Sequence, residues 1–588
     1  MNGSATLTRR PGAQPVWLTP LRLLAVVAML ATLVAVATAP AVAATGDGAL
    51  TSVIVRKQAG AGTGPEQLVE RLGGRVQQQL GIIGGFSALV PAGDVAFLRT
   101  VPGITEVSEN SPVTLNGTFD GVEIASRIDM VNESAEADEY WEAGFTGKGV
   151  GVAVIDSGVA PVAGLNASGK VIHGPDLSFE SQNSTLRYMD TFGHGTAMAG
   201  IIAGKDAAVT TVTSKSDEDN FVGVAPDARI LSVKVADQGG ATDVSQVIAA
   251  IDWVVQHRND NGMNIKVLNL SFGTDGTQDY KVDPLAYATE VAWRAGITVV
   301  VSAGNAGYGS AALNNPAYDP FVIAVGAADT RGTEDNDDDI PATFSSAGDT
   351  KRKPDFMAPG QSIASLRVPG SGLDELYPAA RRGTRFFRGS GTSQAAAAVS
   401  GLVALVAQQH PTATPDQIKK LLKTAVDDTD LMNVAQSGAG EVDMSEALFA
   451  PLPTVSASAQ AFTKSTGTGK LDLSRGTEKL VNDGVTLTGE KDVMGKAFSS
   501  STWAPKAGKT AWSGGTWNGS TWAGTSWSSG TWTTGTWTAT SWSGRKWTSI
   551  NFTGRKWTGS AWTGTAWTGS NWSGRKWTSA TWSSAGWS

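Results

Sequence analysis

Val150-Gly151-Val152-Ala153-Val154-Ile155-Asp156-Ser157-Gly158 is an unbroken run of small apolar residues that ends on a carboxylate and a glycine. A strand with one wet face alternates polar and apolar residues, whereas this one has no polar position before Asp156. It reads as a strand buried on both faces, as in a parallel sheet covered by helices. The runs 267–270, 297–301 and 322–325 have the same character. Between them the period changes. Residues 245–257 put Ile248, Ile251 and Val255 on one helical face. Asp283-Pro284 is a cap and first-turn pair opening a helix to about 294, and Thr414-Pro415-Asp416-Gln417 is a capping box ahead of Ile418, Leu421 and Leu422. Strands alternating with helices over 136–450 predict an α/β domain, a mainly parallel sheet with helices on both faces.

Outward from this region the chain changes character. Residues 52–55, 86–90 and 104–107 read as strands and 65–72 and 94–100 as helices, a small α+β unit within the stretch 44–135. Before it, Arg9, Arg10 and Arg22 precede an apolar run over 23–39 and then Ala41-Val42-Ala43. A basic start, an apolar stretch and a small-x-small exit describe a cleaved secretory signal over 1–43, with a membrane anchor as the plainer alternative. After 450 the composition turns to Ser, Thr, Gly and Lys, and 451–500 reads as a linker. Residues 501–588 are a repeat.

The 588 residues contain no cysteine, which excludes a disulfide scaffold, a thiol nucleophile and cysteine-ligated metal. The formal charge of −8 gives no reason to expect nucleic acid as a partner. That mean hides an asymmetry: nine Lys or Arg and no acid follow Val493, so the rest of the chain is strongly acidic.

Three polar residues have positions that chemistry would use. Asp156 ends the first buried strand, where open α/β sheets place their ligand-handling groups, although a turn-capping Asp is the plain reading of such a residue alone. His194 sits between Gly193 and Gly195, which lets other groups approach the imidazole closely. Ser393, in Gly391-Thr392-Ser393-Gln394, precedes a buried helical stretch over 395–408. It could be no more than an N-cap, but a nucleophile there would gain from the positive helix end. The chain order Asp, His, Ser is one of the convergent triad orders.

Val154-Ile155-Asp156-Ser157-Gly158, Gly193-His194-Gly195-Thr196 and Gly391-Thr392-Ser393 resemble the signature blocks of the subtilisin-like serine endopeptidases. So do Gly223-Val224-Ala225-Pro226-Asp227-Ala228, Asn269-Leu270-Ser271-Phe272-Gly273, Ser302-Ala303-Gly304-Asn305 and Pro354-Asp355-Phe356-Met357-Ala358-Pro359-Gly360. The resemblance covers about 147–447. It implies that His194 takes the proton of the Ser393 hydroxyl, that Asp156 orients the imidazole, and that Asn305 with the Ser393 N–H stabilises the oxyanion. It further implies that Ser271, Phe272, Gly273, Ser302, Ala303 and Gly304 line a cleft where protein or peptide substrates pair as an added strand.

By the same resemblance, 44–135 holds a prodomain that inhibits its own enzyme and is cut off between Asn110 and Glu136. No cofactor is required. Structural calcium is common in the family, and the acidic run 334–339 offers oxygen ligands of the kind calcium prefers, with no ligand set assigned. The family's usual Met after the nucleophile and Pro three further on are here Gln394 and Ala397. The expected function is therefore a secreted endopeptidase made as a zymogen. The alternative is a surface- or cell-wall-binding protein with an inert catalytic domain.

From Trp512 to Trp587 an aromatic recurs every fifth residue, with Phe552 the one replacement. A helix would scatter these residues round all faces, and one straight strand would alternate them between two. So many exposed indoles exceed the apolar patch a soluble monomer tolerates. Either short strands stack with Trp inside, or the rings meet a polysaccharide or cell-wall partner at a surface that retains the protein.

Overall fold

The computed structural model describes residues 50–522 apart from 59, 81–83, 110–127, 184–185, 211, 213–219, 277, 308–312, 334–335, 428–436 and 483–484. The leader expected over 1–43 and most of the repeat expected over 501–588 lie outside the described residues. The chain divides into two compact units, Met1–Asn116 and Gly117–Ser588.

In the first unit, β1 (Leu50–Lys57), β2 (Arg75–Leu80), β3 (Gly85–Pro91) and β4 (Ile104–Glu109) form an antiparallel sheet in the order β2-β3-β1-β4. Val53 and Val55 alternate inward on β1 and meet Phe86, Ala88, Val90 and Val107 on the same face. Val69 from the helix Gly64–Arg71 and Leu98 from the helix Val95–Leu98 close this core. Sequence reading misses β2, since Arg75-Val76-Gln77-Gln78-Gln79 holds a single apolar residue. As an edge strand it is held by its ladder to β3, with Val76 partly buried against the core.

The second unit is built on one large sheet. Its strands are β5 (Gly151–Asp156), β6 (Val171–Asp176), β7 (Arg229–Lys234), β8 (Ile265–Leu270), β9 (Thr298–Ser302), β10 (Ile323–Asp329), β11 (Ile340–Pro341) and β12 (Phe356–Pro359). The order runs β6-β7-β5-β8-β9-β10-β12, then Glu441–Val442 and Val426–Asp427, with β11 paired to β10. From β6 through Glu441–Val442 every neighbouring pair is parallel. The four strands expected from sequence are the central ones, and every residue of β5 is buried. The strands it missed, β6, β7 and β12, carry His173, Arg229 and Lys234 or are only four residues long.

The expected caps are present. Asp283 accepts from Leu285 N and Ala286 N at the start of Pro284–Arg294, and Thr414 with Gln417 closes its box at Pro415–Leu422. Asp243 and Gln246 form a further box at Val244–His257. That helix differs from expectation in one respect: residues 244–255 are buried all round rather than on one face.

The segment that covers it is 451–500, expected as a linker. Leu471, Leu480, Val493 and Phe498 join the main core, and Arg475 is wholly buried in a two-pronged pair with Asp243, at 2.6 Å from Nε and 3.1 Å from Nη2. Such a composition cannot build a core of its own, which is why it reads as a linker. Here its few apolar residues complete a core supplied by other elements. The first repeats follow it. Trp512–Ser513, Thr516–Trp517 and Ser520–Thr521 are three short antiparallel strands. Gly514-Gly515 and Asn518-Gly519 reverse the chain with positive φ throughout, as two-residue hairpin turns need. Each strand and turn here takes four residues, and the register sets Trp512 directly opposite Trp517. Each reversal returns the indole to the same face, so Trp512, Trp517 and Trp522 are all buried.

Candidate active site

The carboxyl ends of adjacent parallel strands gather the site. Asp156 closes β5, Ser271 follows β8, and Asn305 lies just beyond β9. His194 opens the helix His194–Ala203, preceded by Gly193 at φ 100°. Gly195 permits the close approach: a Cβ there would lie 2.2 Å from the Gly158 carbonyl oxygen and 3.1 Å from the Asp156 Cβ. The His194 Nδ1 is 2.8 Å from each carboxylate oxygen of Asp156, and both side chains are buried. A nitrogen held between two carboxylate oxygens carries its proton, which leaves Nε2 as the basic atom of the neutral ring. Ser157 N also donates to Asp156 Oδ1 at 2.7 Å, fixing the carboxylate plane.

Asp190, which the sequence did not single out, ties this pair together. Its Oδ1 accepts from Ser157 Oγ at 2.8 Å and Gly193 N at 2.7 Å, and its Oδ2 accepts from Thr196 N at 2.8 Å and Thr196 Oγ1 at 2.5 Å. The loop after β5 and the first turn of the His194 helix are therefore bonded to one wholly buried carboxyl, raised above its ordinary pKa by that burial. An acid four residues ahead of a glycine-flanked histidine was the one signal available.

Ser393 is the second residue of the helix Thr392–Gln409, which packs against both the His194–Ala203 helix and the strands β8, β9, β10 and β12. Its Oγ donates to the Ser271 carbonyl at 3.0 Å, and Ser271 Oγ donates to the Ser393 carbonyl at 3.0 Å. Asn305 Oδ1 accepts from Thr392 N and Thr392 Oγ1, both at 2.8 Å. That spends the carbonyl end of the amide and leaves Nδ2 with no hydrogen bond among the described residues. Gln394 and Ala397 are buried within an unbroken helix, so the helix start forms without the family's proline.

The expected cleft residues lie in the same place. Phe272 and Ala303 are core side chains, so 271–273 and 302–304 present backbone rather than side chains. Gly304 N donates to Thr392 Oγ1 at 3.2 Å. The side chain of Asn314 fits between the two segments: a Cβ on Gly273 would lie 2.6 Å from Asn314 Cβ, and one on Gly304 2.9 Å from Asn314 Cγ. In sequence, Asn314 looks like any loop asparagine.

Of the acidic run 334–339, residues 334–335 lie outside the described residues. Asp338 accepts from Thr333 Oγ1 at 2.6 Å, while Asp339 turns inward beside Glu441. Burial pushes the Asp339 carboxyl up to about 7, and burial with the neighbouring Asp339 charge raises Glu441 well above its ordinary value. Among the described residues no three His, Asp or Glu side chains converge as a metal cage. No step is routed through calcium.

The model of the subtilase family matches residues 147–442. Serine protease AprX of Bacillus subtilis is 39% identical over 313 residues, 52% of this chain and 68% of that protein. Subtilisin E of Bacillus subtilis is 30% identical over 387 residues, 65% of this chain and 85% of that protein. Fervidolysin from Fervidobacterium pennivorans, a keratinolytic enzyme related to subtilisin, superposes with a TM-score of 0.42 at 25% identity, covering 70% of this chain and 62% of that one. A parallel α/β sheet with Asp156 paired to His194, and a family match spanning all three signature blocks, lead to one conclusion: the chain belongs to the subtilase family and is a serine endopeptidase.

Proposed function

We propose that the protein is a secreted endopeptidase that acts through Asp156, His194 and Ser393 and is made as a self-processed zymogen. The observation that carries this is the Asp156–His194 pair at 2.8 Å, set at strand ends beside the buried helix that begins at Thr392. His194 Nε2 accepts the Ser393 proton as Oγ attacks the substrate carbonyl, then returns it to the leaving amine. Asp156 stays ionised, holds the tautomer and offsets the imidazolium charge. The tetrahedral oxygen is met by the free amide of Asn305 and by the Ser393 N–H. Losing one such donor raises the barrier by about 3–4 kcal/mol in a member of this family. Water then hydrolyses the acyl-enzyme by the same proton path. The backbone of 271–273 and 302–304 receives the substrate as an extended strand.

The small α+β unit within 44–135 supplies the prodomain in this reading, and the leader over 1–43 supplies export. Retention at a cell surface is assigned to the repeat, whose deletion from 523 onward tests it by the fraction of protein left on cell walls. Ser393→Ala decides the central claim. Hydrolysis of a denatured protein and release of the first unit should both vanish, with folding intact. Hydrolysis that persists in this variant, or an N-terminus near Ala44 in fully active parent, overturns the corresponding part.

A further inference from the structure

Ser474 lies 32 residues beyond the end of the family match at 442, yet it is wholly buried against the back of the cleft. Its carbonyl oxygen accepts from Thr274 Oγ1 at 2.6 Å and from Asn315 Nδ2 at 3.3 Å. Its hydroxyl accepts from the same Nδ2 at 3.1 Å and donates to Asp283 Oδ1 at 3.1 Å, so it works as both donor and acceptor. Thr274 and Asn315 are themselves the link between the two cleft segments. Thr274 N donates to the Asn315 carbonyl at 2.9 Å, and Asn315 N donates to the Thr274 carbonyl at 2.8 Å. Thr274 follows Gly273 directly, and Asn315 follows Asn314, whose side chain separates Gly273 from Gly304.

The clasp continues along both sides of Ser474. Thr477 N donates to Asp275 Oδ1 at 2.6 Å and Thr477 Oγ1 donates to Asp275 Oδ2. Gln278 Nε2 donates to the Lys470 carbonyl at 2.6 Å while Lys470 N donates to Gln278 Oε1 at 3.0 Å. On its far side the same segment is pinned by the buried Arg475–Asp243 pair. Residues 470–477 thus run beside Thr274, Asp275 and Gln278 and fasten them to the start of two helices.

We infer that residues 470–477 are the outer buttress of the substrate pocket beside Ser393, and that Ser474 is a positioning residue for side-chain selectivity there. This rests on the reading of 271–273 and 302–304 as cleft walls. The separation of those walls is set by the Asn314 amide inside and by the Thr274–Asn315 bridge outside. Ser474 bonds both members of that bridge at once. A pocket wall held by buried hydrogen bonds discriminates between substrate side chains by tenths of an ångström, and the groups that fix it need not touch substrate. Ser474 contacts neither Ser393 nor His194 directly, so its loss should change which peptides are cut more than how fast the bond breaks.

The test uses the full chain with Thr274→Val, Ser474→Ala and the conservative Thr274→Ser. Each is titrated with a fluorophosphonate to count active sites, and kcat/KM is measured over peptides that vary in the residue on the acyl side of the scissile bond. The expected result is a shift of about tenfold in the ratio between large and small side chains for Thr274→Val, with Thr274→Ser close to the parent. Hydrolysis of a small activated ester should stay unchanged. Ser474→Ala, which retains the carbonyl acceptor, should show a smaller shift of the same sign and stands in if Thr274→Val does not fold. An unchanged selectivity profile, or an equal loss on every peptide that follows the loss of thermal stability, overturns the inference. A parent that hydrolyses nothing, or a Ser393→Ala chain that still does, instead overturns the cleft reading on which it rests.

Discussion

Three N–H donors converge on the carboxylate of Asp252: Trp503 Nε1 at 2.7 Å, Gly508 N at 2.7 Å and Trp517 Nε1 at 2.9 Å. Burial nevertheless pushes its pKa up to about 6, because hydrogen bonds offset only part of the cost of removing a charge from water. A raised carboxyl pKa favours the protonated folded state. The stability it lends is present below about 4 and is lost as the pH rises through about 6. Asp252→Asn should therefore flatten the fall in melting temperature between those values, as read by calorimetry across a pH series; an unaltered slope contradicts this. Asp355 behaves in the opposite sense. Burial alone would raise it, but the charges of Arg352 and Lys419 outweigh that and hold it far below the carboxylate range. Its contribution is full above about 4 and is lost as the pH falls further, toward the depressed folded value. Asp355→Asn should cost about 3–5 kcal/mol at neutral pH, since it strands buried cations, and the deficit should shrink in acid. Denaturant midpoints at pH 7 and pH 3 check the pair of statements.

Elements that carry their own signals were legible in the sequence. The four central strands are dominated by apolar residues because both faces are covered, and the box at Thr414 and the cap at Asp283 announce their helices by side-chain chemistry. Thr414→Ala should cost about 1 kcal/mol, measured by equilibrium unfolding. The place of His194 could be read for the same reason: close backbone approach demands glycine at 193 and 195, which marks the histidine between them. What could not be read depends on partners distant in the chain. β2 exists through pairing, Asp190 matters through the bond it accepts from Ser157 across 33 residues, and Asn314 through two glycines that face it. The segment 451–500 is the extreme case, because its core is lent by helices some two hundred residues earlier. Removing one partner of the buried Arg475–Asp243 pair, as in Arg475→Ala, should destabilise the second unit by about 3–5 kcal/mol, in thermal or denaturant melts. Replacing both partners with apolar residues of similar volume should restore much of that loss.

At the scale of the whole molecule, the second unit extends well past the family match that ends at 442. A chain ending at Trp522 should keep the parental melting temperature of this unit. One ending at Ala450 should lose it or fail to fold, because Val255, Val291 and Asp252 would face water. Differential scanning fluorimetry of the two chains distinguishes them, and equal stability would refute an integral role for 451–522. The Asp252 cluster also has a consequence in time. Synthesis proceeds from the N-terminus, so Trp503 is made 251 residues after the carboxylate it bonds, and Trp517 265 residues after. Contacts of such separation are the slowest to form and close last. Asp156, His194 and Ser393, the proposed triad, all emerge before the indoles that seal the helix behind them. A nascent or prematurely ended chain therefore holds every proposed catalytic group but not the finished core, and the last-made part of the domain acts as its proof of completion.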